Sequence, residues 1–139
     1  MYKRQDRAVL EGATLIGKEN WFRQAHWTPP WPPVNAVFKA SLAYRLALVA
    51  AGRADGSVFL GYKHDWDIAG GAALVLAAGG VVSDPWRAAL SFNGALPRNP
   101  GVIAAGPRLH PLLCDQVFST PHPKDWAVNR KAAAEDDLP

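Results

Sequence analysis

Two aspartates stand close together where a predicted strand gives way to a predicted helix, in the run Lys63-His64-Asp65-Trp66-Asp67. The helix is predicted from residue 65 or 66 to residue 78, which puts Asp67 in its first turn and makes Asp65 a candidate N-cap. The positive end of the helix dipole favours an ionised carboxylate there, and such a carboxylate suits a hard cation such as Mg²⁺, which prefers oxygen ligands. A first-turn aspartate is also an ordinary capping feature, so this stretch alone leaves a metal ligand and a structural cap as alternatives.

The segments that must position these carboxylates alternate between strands and helices. Short apolar runs bounded by glycine or polar residues predict strands at residues 13–17, 56–60, 81–83, 89–92 and 101–106. Helices are predicted at residues 37–51, 65–78 and 107–118, with Gly52 as the C-cap of the first and Pro107 opening the last. The first of them is apolar almost all round apart from Ser41 and Arg45, so we expect it to be buried on most faces. This alternation predicts an α/β fold, a layered sheet with flanking helices.

Residues 18–35 contain three tryptophans and four prolines. Proline at this density predicts a long ordered loop and excludes a regular helix or a central strand. The tryptophans either cover one face of the sheet or form a surface for a peptide or carbohydrate. Residues 119–139, which end in an acidic cluster, are predicted to be a flexible tail, so the folded domain is expected to span residues 1–118.

Composition narrows the class of protein. A chain of 139 residues with 49% apolar residues has the size of one domain with a real core. The net charge of +3 comes from scattered basic residues, which predicts no nucleic-acid partner. No run approaches the roughly 18 apolar residues of a membrane span, and the charged start does not resemble a signal peptide. The single cysteine, Cys114, fits a reducing compartment, so we expect a cytoplasmic protein.

The stretch around Asp67 resembles the second signature of the inositol monophosphatase family. Residues 66–81 begin Trp-Asp-Ile-Ala and close the helix with Ala-Gly-Gly before a strand, as that signature does. Ahead of it, residues 41–55 resemble the family's buried helix and its closing turn. Behind it, residues 84–97 resemble the segment that ends in Leu-x-Phe-Asn, and residues 101–110 resemble the last strand and helix. The similarity is co-linear and covers roughly residues 10–118.

This resemblance implies a Mg²⁺-dependent phosphatase that cleaves a small phosphomonoester by in-line attack of a metal-activated water. It implies that Asp67 is a metal ligand and that Trp66 packs beneath it. The substrate contacts that it implies are His64, Asp65, Ser41 and Lys39, and the last of these would meet a second phosphate. For His64 and Lys39 a purely solvent-facing role is the alternative. The substrate would be an inositol phosphate, a histidinol-phosphate-like alcohol or a 3′-phosphonucleotide.

The family's first signature, a glutamate followed by an Asp-Pro-Ile/Leu-Asp-Gly-Thr run, is missing. None of the 12 acidic residues sits in such a run, and one carboxylate cannot hold two or three Mg²⁺ ions. The resemblance therefore covers the C-terminal half of the family only. Leu76 and Ala77 stand where glutamates usually end the helix, and Arg87 stands where a glycine is expected. The family's acidic substrate contact would fall near Phe59 or Leu60, which leaves the choice of substrate open.

Three hypotheses follow from this pattern. The chain is an inactive C-terminal half, or it completes a site by pairing with a separate N-terminal half or with a homologous whole enzyme, or it is a non-enzymatic binding module that uses residues 18–35. The first two hypotheses predict an exposed apolar face, which usually marks an interface and makes a homo-oligomer a further consequence. The sequence does not decide whether this chain is an enzyme by itself.

Overall fold

The computed structural model describes residues 6–95 and 97–119. The strands are β1 (Thr14–Ile16), β2 (Asn35–Val37), β3 (Gly56–His64), β4 (Val81–Ser83) and β5 (Arg98–Ala105). The helices are α1 (Glu19–Phe22), α2 (Leu42–Ala50), α3 (Asp65–Ala77) and α4 (Leu109–Ser119). The predicted α/β class is confirmed. The predicted tail lies outside the described residues, apart from Ser119 at the end of α4.

The five strands form one mixed sheet in the order β2-β1-β3-β5-β4. β1 pairs in parallel with β2 and with β3, whereas β5 runs antiparallel to β3 and β4. The β3–β5 pairing runs from Gly56 opposite Ala105 to His64 opposite Arg98, with a register shift between Leu60 and Lys63. β3 ends at His64 and α3 begins at the next residue, so the last residues of this long central pair lie beside the start of α3.

Alternate residues of the central strands enter two separate cores. On one face, Leu15, Val58 and Ile103 pack with α4 and the tryptophan-rich segment. On the other face, Ile16 and Val102 pack with α2 and α3. The helices therefore cover both faces of the sheet, as expected when each strand points alternate side chains to opposite sides.

The helix predicted at residues 37–51 begins later, at Leu42. Ser41 caps its N-terminus, since its hydroxyl oxygen accepts a hydrogen bond from the Tyr44 N–H at 3.2 Å. Of the residues predicted to be helical before Leu42, Val37 belongs to β2 and pairs with Ile16 of β1, and residues 38–41 are neither helix nor strand. Strand pairing therefore accounts for Val37 alone, and the Ser41 cap sets the actual start of the helix.

Several other elements differ from the prediction. α3 has His64 and not Asp65 as its N-cap residue, and α4 begins two residues after Pro107. Residues 89–92 are not a strand. The Ser91 N–H donates to the side-chain oxygen of Asn99 at 3.5 Å and not to the backbone of a neighbouring strand. β3 and β5 are both longer than predicted, because their mutual pairing extends each of them.

The tryptophan- and proline-rich segment is ordered but contains the short helix α1, which the prediction of a loop missed. α1 ends before the first proline, so proline does not oppose it. Trp27 and Trp31 are only 2% and 9% exposed, and both rings meet Trp21 at centroid distances of 4.9 and 6.0 Å. These side chains cover one face of the sheet, the first of the two alternatives for this segment. In the part of the chain that the structure describes, no helix is both long and apolar enough to cross a bilayer.

Candidate functional site

The residues predicted to form a site lie at the starts of α2 and α3. Because α2 leads into β3 and β3 leads into α3, both helices begin toward the same end of β3. The helices pack closely, with the Cα of Gly71 against the Leu46 side chain. Lys39 and Ser41 precede α2, while the other three predicted site residues stand at the β3–α3 junction.

Asp67 lies in the first turn of α3 and is partly exposed. Among the described residues, no hydrogen bond or ion pair engages its carboxylate. As far as the described residues are concerned, the carboxylate is therefore available for an external ligand. This placement agrees with the sequence prediction, although its role as a metal ligand stays a prediction.

Asp65 is buried and already engaged. Its Oδ2 accepts a hydrogen bond from the Asn93 N–H at 2.7 Å, and its Oδ1 accepts one from Asn99 Nδ2 at 3.2 Å. Its own N–H donates to the Pro97 carbonyl at 2.9 Å. These contacts fasten the start of α3 to β5 and to the segment before it, so its predicted contact with a substrate has no support in its surroundings.

Trp66 does not pack beneath Asp67, and that expectation is wrong. Trp66 is 80% exposed, and its ring stacks on the exposed His64 ring at a centroid distance of 5.8 Å and an angle of 7°. The core face of α3 is formed by Ile68, Ala72 and Val75, and Trp66 lies on the opposite side of the helix. Trp66 and His64 thus present a flat aromatic surface beside the α3 N-terminus.

Ser41 and Lys39 both contact α2 through polar atoms. The Ser41 hydroxyl is used as the helix cap, and the Lys39 carbonyl accepts a hydrogen bond from Arg45 Nε at 2.5 Å. The Lys39 ammonium lies 6.0 Å from the Tyr44 ring centroid. Lys39 therefore directs a cation to the outside of α2, where a substrate contact stays a prediction.

Arg45 also borders this region, although it was not among the residues predicted from the sequence to form the site. Arg45 is only 7% exposed, and its guanidinium lies 5.5 Å from the Phe38 ring centroid and 5.9 Å from that of Phe59. Burial lowers the pKa of Arg45 from its usual value. The guanidinium borders a cleft of about 200 Å³ that is lined by Gly17, Lys18, Trp21, Phe38, Arg45, Val58, Phe59 and Leu60. The sequence feature that could have indicated Arg45 as a site residue is its position, one helical turn after Ser41 on an otherwise apolar helix.

The described residues by themselves do not fit a bound Mg²⁺. Residues 6–95 and 97–119 contain no cluster of three or more histidine, cysteine or acidic side chains that could hold a metal ion. Asp67 offers one carboxylate, and its neighbour Asp65 is committed to Asn93 and Asn99. Further oxygen ligands would have to come from elsewhere.

Comparison with known proteins identifies relatives of the chain. A family model described as the inositol monophosphatase family matches residues 2–121. Inositol-1-monophosphatase ImpA of Mycolicibacterium smegmatis is 42% identical over 81 residues, which cover 58% of this chain and 27% of that protein. Inositol monophosphatase 1 of Solanum lycopersicum is 49% identical over 58 residues, which cover 37% of this chain and 21% of that protein.

Solved structures show the same fold. The inositol monophosphatase of Anabaena (Nostoc) sp. matches with a TM-score of 0.64 and 25% identity, over 84% of this chain and 47% of that one. Inositol monophosphatase II of Staphylococcus aureus matches with a TM-score of 0.65 and 16% identity, over 95% of this chain and 47% of that one. The chain thus spans about half the length of these structures and about a quarter of the curated relatives. The matching family is one of magnesium-dependent phosphatases, and the chain belongs to this inositol monophosphatase family.

Proposed function

We propose that this chain provides the C-terminal half of a magnesium-dependent phosphatase that hydrolyses a small phosphomonoester, an inositol phosphate or a 3′-phosphonucleotide. The proposal includes that carboxylates outside the described residues complete the metal site and that the chain is inactive without them. The observation that carries it is the carboxylate of Asp67 in the first turn of α3, which no hydrogen bond or ion pair of the described residues engages. Asp67 lies within the stretch that resembles the family's second signature.

In this proposal Asp67 contributes one oxygen ligand to a metal, and the metal supplies charge stabilisation and water activation when bound. The two helix starts orient the rest of the substrate. Ser41 and Lys39 at the start of α2 face its alcohol portion, and His64 borders it from the end of β3. Asp65 acts indirectly, by fixing the start of α3 to β5.

The proposed partner that completes the site is a separate N-terminal half, and a homo-oligomer of the chain is a further assembly that does not complete it. Large apolar side chains are exposed near the two helix starts: Trp66 at 80%, Phe38 at 51% and Tyr44 at 50%. Exposed apolar groups of this size favour a covered surface in the working assembly. We place this assembly in the cytoplasm, since the one cysteine, Cys114, is free and buried.

The proposal is tested by measuring phosphate release from inositol 1-phosphate and adenosine 3′,5′-bisphosphate, with and without Mg²⁺. The purified chain alone is expected to show background turnover only. Turnover is expected once the N-terminal half of a family member such as the Mycolicibacterium smegmatis protein is added. Asp67→Asn should abolish this restored turnover, because it removes the proposed ligand.

Asp115→Asn serves as the matched control, since Asp115 is an exposed α4 aspartate that pairs with Arg87, and it should retain the restored turnover. Magnesium-dependent turnover by the chain alone would show that the site is already complete and would overturn the inactive-half proposal. Restored turnover that survives Asp67→Asn would remove Asp67 from the site.

The alternative function, a binding module built on residues 18–35, lacks a comparable observation. Trp27 and Trp31 are buried in the core and Trp21 is partly buried. The Trp27 Nε1–H donates to the Trp21 carbonyl at 2.8 Å. These aromatic side chains are used mainly for packing, so they offer little surface to a peptide or a carbohydrate.

A further inference from the structure

Arg45 is a buried cation that has no acidic partner among the described residues. It is only 7% exposed, yet no carboxylate of the described residues pairs with it. Its Nε donates to the Lys39 carbonyl, while the rings of Phe38 and Phe59 lie within 6 Å of the guanidinium. The aromatic faces offset part of the cost of burying the charge, but the remaining guanidinium N–H groups are donors that favour an anionic acceptor.

Two further cations surround the same rings. The Lys18 ammonium lies 5.4 Å from the Phe38 centroid, and the Lys63 ammonium lies 5.3 Å from the Phe59 centroid. Neither lysine forms an ion pair within the part of the chain that the structure describes. Three like charges around one pair of rings repel one another, so an anion between them would lower the electrostatic free energy.

The cleft beside Arg45 has the size and lining for such an anion. Its volume is about 200 Å³, and its lining residues include Lys18 and Arg45 but no acidic side chain. It opens next to the start of α2, where the Lys39 carbonyl holds Arg45 in place. A group bound there would therefore lie beside the residues proposed to face the alcohol portion of the substrate.

We propose that this cleft binds a small oxyanion, a phosphate or a carboxylate, carried by the alcohol portion of the substrate, with Arg45 and Lys18 as its direct contacts. The inference deepens the proposed function and rests on it for the identity of the substrate. It assigns the enzyme a substrate with two anionic groups, one that is hydrolysed and one that is held in the cleft. An uncharged polyol would leave the Arg45 guanidinium without an anionic partner and would bind less well.

Titration of the purified chain with inorganic phosphate, acetate or uncharged myo-inositol, in the absence of Mg²⁺, tests the cleft directly. The readout is the Arg45 Nε–H signal in ¹H–¹⁵N NMR spectra, which is identified by its loss in Arg45→Lys. Phosphate is expected to shift this signal saturably and myo-inositol to leave it in place. The response to acetate decides between a carboxylate and a phosphate as the preferred group.

Lys18→Met, at an exposed position, should weaken phosphate binding by about tenfold, as expected for the loss of a charged hydrogen bond. The matched control Arg53→Met removes a cation at the far end of α2 and should bind as the wild type does. Equal affinity in Lys18→Met and the wild type, or an Arg45 signal that phosphate never shifts, would overturn the proposal. The titration uses no metal and measures no turnover, so a negative result would leave the phosphatase proposal intact. Conversely, a negative turnover assay would not contradict the anion site.

Discussion

His110 occupies a buried polar position between α4 and β4. Ser83 Oγ donates to the Asp84 carbonyl at 2.8 Å, so the Nε2–H of neutral His110 donates to Ser83 Oγ, also at 2.8 Å. The Cys114 sulfur lies 3.7 Å from the same nitrogen. Burial, and secondarily the positive charge of Arg87, lowers the pKa of His110.

This lowered pKa predicts acid sensitivity. The unfolded chain takes up the His110 proton below its ordinary pKa of about 6.5, whereas the folded protein resists it. The stabilisation by neutral His110 is therefore fully present above that pH and is lost as the pH falls through the lowered folded pKa. Urea unfolding between pH 7.5 and pH 4.5 should show this loss, and His110→Gln should flatten it. His26→Gln, at an exposed position, is the control and should keep the wild-type slope; an unchanged slope in His110→Gln would contradict the assignment.

At the scale of the helices, α2 and α3 depend on a glycine contact. A Cβ added to Gly71 would lie 2.6 Å from the Cβ of Leu46, whereas one added to the preceding Gly70 would meet nothing within 4 Å. The two glycines stand in the same helix and differ in what surrounds them. They therefore separate the effect of interhelical packing from the effect of helix propensity.

Gly71→Ala is expected to destabilise the fold by about 1–3 kcal/mol, because the added methyl group overpacks the helix interface. Gly70→Ala should instead stabilise it by about 0.5–1 kcal/mol, the usual gain from replacing a helical glycine. Urea unfolding of both variants gives the two signs in one experiment. Equal changes in the two would mean that α2 and α3 do not pack as closely as the structure has them.

Some boundaries of the helices and strands are determined by local sequence signals, and others are determined by contacts between distant segments. The end of α3 was predicted within one residue because Gly79, which has a φ of +87°, terminates the helix locally. The start of α2 was misplaced because Val37 pairs with β1, which is distant in sequence, and because the Ser41 side chain caps the helix only at Leu42. The short helix α1 was missed because the nearby prolines dominated the interpretation of the whole segment.

The candidate site divides in the same way. The first-turn position of Asp67 follows from helix signals in its own neighbourhood and was predicted. The burial of Arg45 was not, because it depends on Phe38 and Phe59, which lie before α2 and within β3. The exposure of Trp66 was missed as well, since the family resemblance suggested a packed side chain and the rotation of α3 places it outward.

At the scale of the whole molecule, the described residues combine a formed core with an absence of clustered metal ligands. Two core clusters and a continuous sheet hold residues 6–95 and 97–119 together. The same residues contain no cluster of ligands for a metal ion. Folding and metal binding are therefore expected to be independent in the isolated chain.

This independence predicts that Mg²⁺ does not stabilise the chain. A ligand that binds only the folded state raises its stability by RT ln(1 + [L]/Kd), so a formed magnesium site would raise Tm with increasing metal concentration. Thermal unfolding followed by circular dichroism should give the same Tm, within about 1 °C, in excess chelator and in Mg²⁺. The Mg²⁺ concentration is kept far below the Kd of a single exposed carboxylate, so that one weak ligand alone does not change Tm. Asp67→Asn should match the wild type in both conditions. A magnesium-dependent rise in Tm that disappears in Asp67→Asn would contradict this prediction. It would show that acidic residues of this chain outside the described ranges complete the metal site, and a partner that supplies metal ligands would then not be needed.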